Sequence, residues 1–353
     1  MRIGVPRELK PREGRVGLIP SACAELVRNG HEVYVEAGAG EKSGYVDQHY
    51  RDVGVGILGT AREVFVKAQM ILKVKEPIDA DLNLLRKDHL LFCYLHLAAL
   101  PDLTRRLCEI GLTAVAFETV EDDQGRLPLL APMSDIAGRL SIQIATCLLH
   151  QPQGGKGILL GGVPAARRGR VVILGGGVAG GNAAVVAAGL GADVVVFDKD
   201  RDKLVAARSL GANVTGLYPH TADVADAVRS ADIVVGAVLV TGARAPHVVS
   251  AEMVRSMQPG SVIVDISVDQ GGCIETTRPT TYDAPTYVWE GVTHFTVTNM
   301  PGAVPRTSSQ ALSAAIAPYA GRLADGDWHD DRDLAKGINV QAGRVVHPAL
   351  LTA

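Results

Sequence analysis

Five short stretches of this 353-residue chain place polar chemistry in unusual settings. In Phe92-Cys93-Tyr94-Leu95-His96-Leu97-Ala98-Ala99 a single imidazole interrupts an apolar run. A ring that titrates near neutral pH at a strand end could move a proton. On spacing alone, a hydrogen-bonded core histidine is the reading the stretch favours. KPREGRVGLIP (10–20) carries Arg12 and Arg15 in a loop after the first strand, and ILKVKEP puts Lys73 and Lys75 two apart, on one face of a strand. Arg suits bidentate recognition of a carboxylate, Lys a point contact to an oxygen; a solvated edge is the simpler reading of both. Asp269, in SVDQGG, is the one ionisable group among the strand ends Val238-Leu239, 267–272 and 298–301; a turn Asp before Gly-Gly explains it equally well.

The fifth stretch is RVVILGGGVAGGNAAVVAAGLGADVVVFD. Gly175, Gly177 and Gly180 follow an apolar strand and open an Ala/Val helix, and a second strand then ends in Asp198. Glycines there allow a tight turn and close approach of backbone to a pyrophosphate at the helix N-terminus. The acid at the next strand end suits a ribose 2′-hydroxyl and repels a 2′-phosphate, which favours NAD over NADP. Lys199 and Arg201 lie close by and soften that preference.

Positioning these groups takes two domains, more than one compact core of this length holds. Strands are expected at 2–6, 31–37, 70–77, 90–95 and 113–120, with helices at 21–30 (Ser21 as cap, Gly30 as stop) and near 101–110. After the connector EDDQGRLPLLAPM, Ser134 precedes a long amphipathic helix to about His150, with Ile136, Leu140, Ile144 and Leu148 at helical spacing. A second series of strands follows at 170–174, 193–198, 232–238, 261–267 and 294–300, then a helix at 307–323. The fold class is therefore α/β: two domains, each with a mostly parallel sheet, the second a Rossmann-type dinucleotide-binding fold. Its expected span is 129–305, with 1–128 and 306–353 forming the substrate domain and the tail folding back on it.

Bulk composition narrows the classes. The chain is 47% hydrophobic and 21% charged with net charge −3, which offers neither the basic excess of a nucleic-acid binder nor a polybasic membrane patch. No uninterrupted apolar run reaches the roughly 18 residues of a membrane span, and MRIGVPREL has no signal core. Five cysteines without a CxxC read as buried small side chains in a reducing, cytoplasmic setting. The ten histidines form no HxxxH or HxH cluster, so no metal site is expected.

Collinear segments then carry a resemblance over nearly the whole chain: RIGVPRE, REGRVGLIP, HEVYVEAGAGEKSG, ILKVKEP, YLHLAA, LPLLAPMSDIAGRL, GGKGILLGGVP, GAVLVTGARAP, VDISVDQGGCIETTRPTTYD and TNMPGAVPRTSSQAL. With them the sequence resembles the alanine dehydrogenase/pyridine nucleotide transhydrogenase family, on its dehydrogenase side. The resemblance implies reversible NAD-dependent oxidative deamination of L-alanine to pyruvate and ammonium in a cytoplasmic homo-oligomer, a hexamer. It implies Arg15 and Lys75 as substrate ligands and His96 as general acid/base with Asp269. Cofactor contacts carry over to Ser134, Val178, Ala179, Asp198, Lys203, Val238, Leu239, Ile266, Ser267, Val268, Asp269, Arg278, Val297, Thr298, Asn299 and Met300, beside Gly175, Gly177 and Gly180. The transhydrogenase branch carries an apolar or aromatic residue in place of His96 and lacks DQGG. An NAD(H)-binding module without alanine turnover and a related dehydrogenase of the saccharopine type are the alternatives. One family serine near the adenine is replaced here by Pro219 or His220, and the C-terminal tail is short.

Overall fold

The computed structural model describes residues 1–238, 245–326 and 328–351, with the side chains of Gln270 and His329 left aside. The chain divides into two compact units, 1–133 with 302–353, and 134–301.

The first unit opens with strands β1 (Arg2–Val5), β2 (Glu32–Glu36), β3 (Gly56–Leu58), β4 (Met70–Leu72), β5 (Leu90–Cys93) and β6 (Thr113–Ala116). The second contributes β7 (Arg170–Leu174), β8 (Asp193–Phe197), β9 (Val214–Leu217), β10 (Ile233–Gly236), β11 (Val262–Asp265), β12 (Thr286–Trp289) and β13 (Val292–Phe295). The chain then returns to the first unit with β14 (Ile338–Gln341) and β15 (Arg344–Val345).

In the first sheet the order is β15-β14-β6-β5-β4-β1-β2-β3, and β1 to β6 pair parallel. Buried on both faces, β4 and β5 are apolar at every position rather than alternating. Helices flank them. Pro101–Ile110 begins with Pro in its first turn and stops at Gly111 in the left-handed region (φ 79°), a position that favours glycine. The tail does fold back: β14 adds antiparallel to β6, and β15 to β14.

The second sheet has the order β12-β13-β11-β10-β7-β8-β9. Leaving out β12, this is the 3-2-1-4-5-6 order of a doubly wound dinucleotide-binding sheet. Antiparallel β12 covers the β13 edge.

Several expectations need correction. The strand expected at 70–77 ends at Leu72, because Lys73 turns inward to ion partners; Lys73 and Lys75 therefore do not share a strand face. Ser134 lies inside helix Ala131–Leu148 rather than before it, since Pro132 fits a first turn and lets the helix start early. Pro20 likewise starts helix Pro20–Arg28, with Ile19 and not Ser21 as its cap. The last parallel strand is Val292–Phe295 instead of 294–300. β3, β9, β12, β14 and β15 were not expected; β12 pairs antiparallel with β13, and β14 with both β6 and β15.

Candidate active site

In the first unit, β5 delivers His96. Tyr94 and Leu95 continue the buried run, and His96 then adopts a left-handed backbone (φ 51°, ψ 37°) as it opens the 3-10 turn Leu97–Ala99. A non-glycine residue in that region carries about 1–2 kcal/mol of strain. The offset comes from Glu118, just past the neighbouring β6. Its Oε1 accepts the His96 backbone N–H at 2.6 Å and, with Oε2, the Leu95 N–H at 3.1 and 3.2 Å.

The ring is met by a second carboxylate. His96 Nδ1 lies 3.5 Å from Oε2 of Glu76, whose Oε1 takes the Lys10 ammonium. Burial would lower the imidazole's pKa, but Glu76 and Glu118 outweigh it and the net direction is upward. Burial raises Glu76 in turn, and His96, Lys75 and Lys10 more than reverse that, holding it well below the usual carboxylate range. The Tyr94 ring tilts beside His96, centroids 5.8 Å apart, while its hydroxyl donates to Leu129 O at 2.7 Å; burial pushes that phenol up, so it stays neutral.

The two lysines of KVKEP have separate roles. Lys73 is 2% exposed and pairs with Glu8 (3.6 Å) and Asp81 (3.3 Å), an internal ion cluster. Glu8 also accepts the backbone N–H groups of Val74 (2.6 Å) and Lys75 (3.3 Å), which pins the segment that presents Lys75. The Lys75 side chain has no hydrogen bond or ion pair within 4 Å among the described residues. Burial lowers its pKa, with Arg15 and Lys10 adding to that and Glu76 and Glu13 opposing. A half-buried ammonium under those conditions attracts an anion.

Arg15 is 3% exposed. One edge of its guanidinium is committed to Glu13: Nε donates to Oε1 at 2.7 Å and Nη2 to Oε2 at 2.5 Å. Nη1 lies 3.2 Å from the sulfur of Met133, a weak acceptor that a carboxylate outcompetes. The loop is tied to the long helix Pro305–Asp325: Ser309 accepts the Val16 N–H and Ser313 the Ile19 N–H, both at 2.9 Å. Arg15 and Glu76 act on the charge of Lys75 in opposite senses, and Lys75 and Glu76 do the same to His96. Arg12 has a left-handed backbone (φ 57°).

The second unit holds the glycine cradle. Gly175 sits at φ 96°, and a Cβ there would lie 2.5 Å from Ala237 O. A Cβ on Gly180 would lie 1.7 Å from Gly175 O, so helix Val178–Gly189 approaches the strand end as only glycine allows. Gly177, the residue before that helix, has open space around its Cβ direction. Asp198 accepts the Gly176 N–H at 2.7 Å and the Asp200 N–H at 2.8 Å, and Lys203 stands 3.9 Å from it. This open helix start beside a strand-end acid fits a dinucleotide. Gly180→Ala is expected to weaken NADH binding at least tenfold and lower the melting temperature, since backbone oxygen cannot yield as a side chain does; overpacking of this kind costs about 1–3 kcal/mol. Fluorescence titration with NADH and a thermal scan check it, and unchanged values of both would contradict the packing.

The other expected cofactor residues distribute unevenly. Ser134, Ala179, Val238, Ile266 and Asn299 are half-buried, Val178, Asp269 and Thr298 exposed. The side chains of Ser267, Val268, Val297 and Met300 are buried. Arg278 lies over the Tyr287 ring, 4.3 Å to its centroid. Leu239 lies outside the described residues. Asp269 is carried by the short turn Val268–Gln270 after β11. Buried Asp265 accepts N–H groups of Ser267 and Cys273, both at 3.0 Å, and the Thr277 hydroxyl at 2.8 Å, and so shapes that loop. Tyr218 and His220 form a ring pair with centroids 4.9 Å apart.

Sequence reasoning missed Glu13, Glu76, Glu118 and Asp265. Glu76 had a local signal, since it adjoins Lys75. The rest act on groups that strand order or loop closure brings to them.

Known proteins place this architecture. Residues 4–137 match the family description "Alanine dehydrogenase/PNT, N-terminal domain" and residues 141–348 its C-terminal counterpart. Alanine dehydrogenase of Geobacillus stearothermophilus is 48% identical over 360 residues, covering 100% of this chain and 96% of the relative; that of Methanococcus maripaludis is 47% identical with the same coverage. A solved L-alanine dehydrogenase superposes with a TM-score of 0.95 at 50% identity, covering 100% of this chain and 98% of the other. A transhydrogenase from Sinorhizobium meliloti follows at 0.84 and 26%, covering 99% and 100%. Over its whole length, and in both of its units, this chain belongs to the alanine dehydrogenase/PNT family.

Proposed function

We propose that the chain is an NAD-dependent L-alanine dehydrogenase: L-alanine, NAD⁺ and water give pyruvate, ammonium, NADH and a proton, reversibly. The full-length match at 48% identity carries this reading. Arg15 and Lys75 hold the substrate carboxylate, Arg15 through Nη1 and Lys75 as the unpaired ammonium beside it. NAD, when bound, accepts the Cα hydride. His96 takes the proton of the water that adds to the imine and later returns one to the departing amine, at Nε2. Asp269 orients the attacking water or the ammonium. The glycine cradle and Asp198 bind the dinucleotide and favour NAD over its 2′-phosphate. The presence of His96 in YLHLAA favours turnover over a purely NAD(H)-binding module.

Five free cysteines and a reaction in central nitrogen chemistry suit a cytoplasmic setting. Among the described residues, no helix is long and apolar enough to cross a membrane. A homohexamer is the assembly the family suggests. The test is absorbance at the NADH band with NAD⁺ and a panel of amino acids. Alanine is expected to give the fastest rise. Tight NADH binding with no rise on alanine would sink the reading in favour of the binding module, and a preference for a long diamino acid would favour the saccharopine-type alternative.

A further inference from the structure

Two carboxylates approach His96, and they do different work. Glu118 touches the backbone of His96 and holds its left-handed turn. Glu76 touches the ring. Its Oε1 is anchored by Lys10, while Oε2 is buried, has no hydrogen-bond partner among the described residues, and lies 3.5 Å from Nδ1. A buried carboxylate oxygen without a donor is uncommon and costly. The donor within reach is the Nδ1–H of His96. At 3.5 Å the contact is long for a hydrogen bond, and catalytic contacts of this kind tighten when substrate binds.

We propose that Glu76 is the positioning residue of His96: with Oε1 anchored on Lys10, its Oε2 keeps the proton on Nδ1 and so presents Nε2 to the substrate. This rests on the reading of His96 as the acid/base group. In the neutral ring the Nδ1–H tautomer leaves Nε2 as the base; in the charged ring Nε2 is the acid. The charged groups around the ring are Glu76 and Lys75 from the segment after β4 and Glu118 from the turn after β6, with Tyr94 neutral beside it. Lys75 disfavours the imidazolium and both carboxylates favour it. The sign follows: Glu76 extends the protonated form to higher pH, so pyruvate reduction, which uses the acid, keeps its rate to higher pH.

Glu76→Gln keeps the shape and removes the charge. Two readouts are made on the full-length protein: kcat/KM for pyruvate against pH at saturating NADH and ammonium, and the pH dependence of His96 modification by diethyl pyrocarbonate, followed on its own peptide by mass spectrometry without turnover. Both midpoints are expected to fall by about one pH unit, and NADH binding is expected to stay as it was. A modification midpoint that does not move overturns the role of Glu76, whatever the rate profile does. A midpoint that moves while turnover ignores it upholds the Glu76–His96 pair and instead removes His96 from proton transfer. Should the Gln variant fail to fold, Glu76→Asp keeps the charge but retracts it by one methylene. A lowered modification midpoint there supports the pairing, and an unmoved one overturns it.

Discussion

His96→Asn is expected to cut the rate of pyruvate reductive amination about a thousandfold, within the 10²–10⁴ range that one positioned acid/base group supplies, while NADH binding stays near normal. Asparagine is the informative replacement because His96 has φ 51°. Asn tolerates the left-handed region better than most side chains, so the loss reads on the ring and not on relaxation of the turn. Glu118 also continues to hold the backbone N–H groups of residues 95 and 96, since neither bond uses the imidazole. His96→Ala should lose as much activity but add strain to the comparison. The measurement is steady-state oxidation of NADH with pyruvate and ammonium, beside a fluorescence titration for NADH. Retention of most of the activity in His96→Asn would remove His96 from the mechanism.

Arg15→Met is expected to act twice. It strips a buried guanidinium from Glu13, which is 1% exposed. Removing one partner of such a pair costs about 3–5 kcal/mol, because the other charge stays in a low-dielectric site. It also removes the contact to the substrate carboxylate, so the KM for pyruvate should rise about a hundredfold, the effect of roughly 3 kcal/mol lost from a charged contact. The double variant Glu13→Gln with Arg15→Met separates the two. Neutralising residue 13 should recover most of the melting temperature and none of the affinity for pyruvate. If the double variant also regains the KM, Arg15 is a structural ion-pair member and the substrate carboxylate is held elsewhere, with Lys75 the nearest candidate.

The contrast between the two lysines of ILKVKEP shows where sequence reading stops. Spaced two apart, both would face one side of a strand. Because the strand ends at Leu72, Lys73 enters the interior to meet Glu8 and Asp81, and Lys75 is presented by a segment that Glu8 pins. One lysine is consumed by the fold so that the other can be offered to a ligand. Nothing in the spacing distinguishes them, because Glu8, which pairs with Lys73 and pins the backbone of Lys75, lies far off along the chain.

Local patterns were enough for much else. The all-apolar run of β5 reads as a doubly buried parallel strand because its residues need no water on either face. The glycines at 175 and 180 stand where a tight strand–helix turn leaves no room for a Cβ, as the packing distances there show, whereas Gly177 has open space. The helix expected near 101–110 lies between Pro101 and Gly111, whose backbone geometry suits its start and its stop. These features follow from the period and torsional limits of a few neighbouring residues.

The surroundings of His96 have another origin. Glu118 reaches its backbone because β5 and β6 are parallel neighbours that end together, Cys93 opposite Ala116. Glu76 reaches its ring because β4 pairs with β5 on the other side. Which strands adjoin is settled by burying all the apolar faces at once, a property of the whole chain. A sequence can therefore announce that a histidine ends a buried strand, whereas the carboxylates that fix its turn, its tautomer and its charge are assembled by strand order.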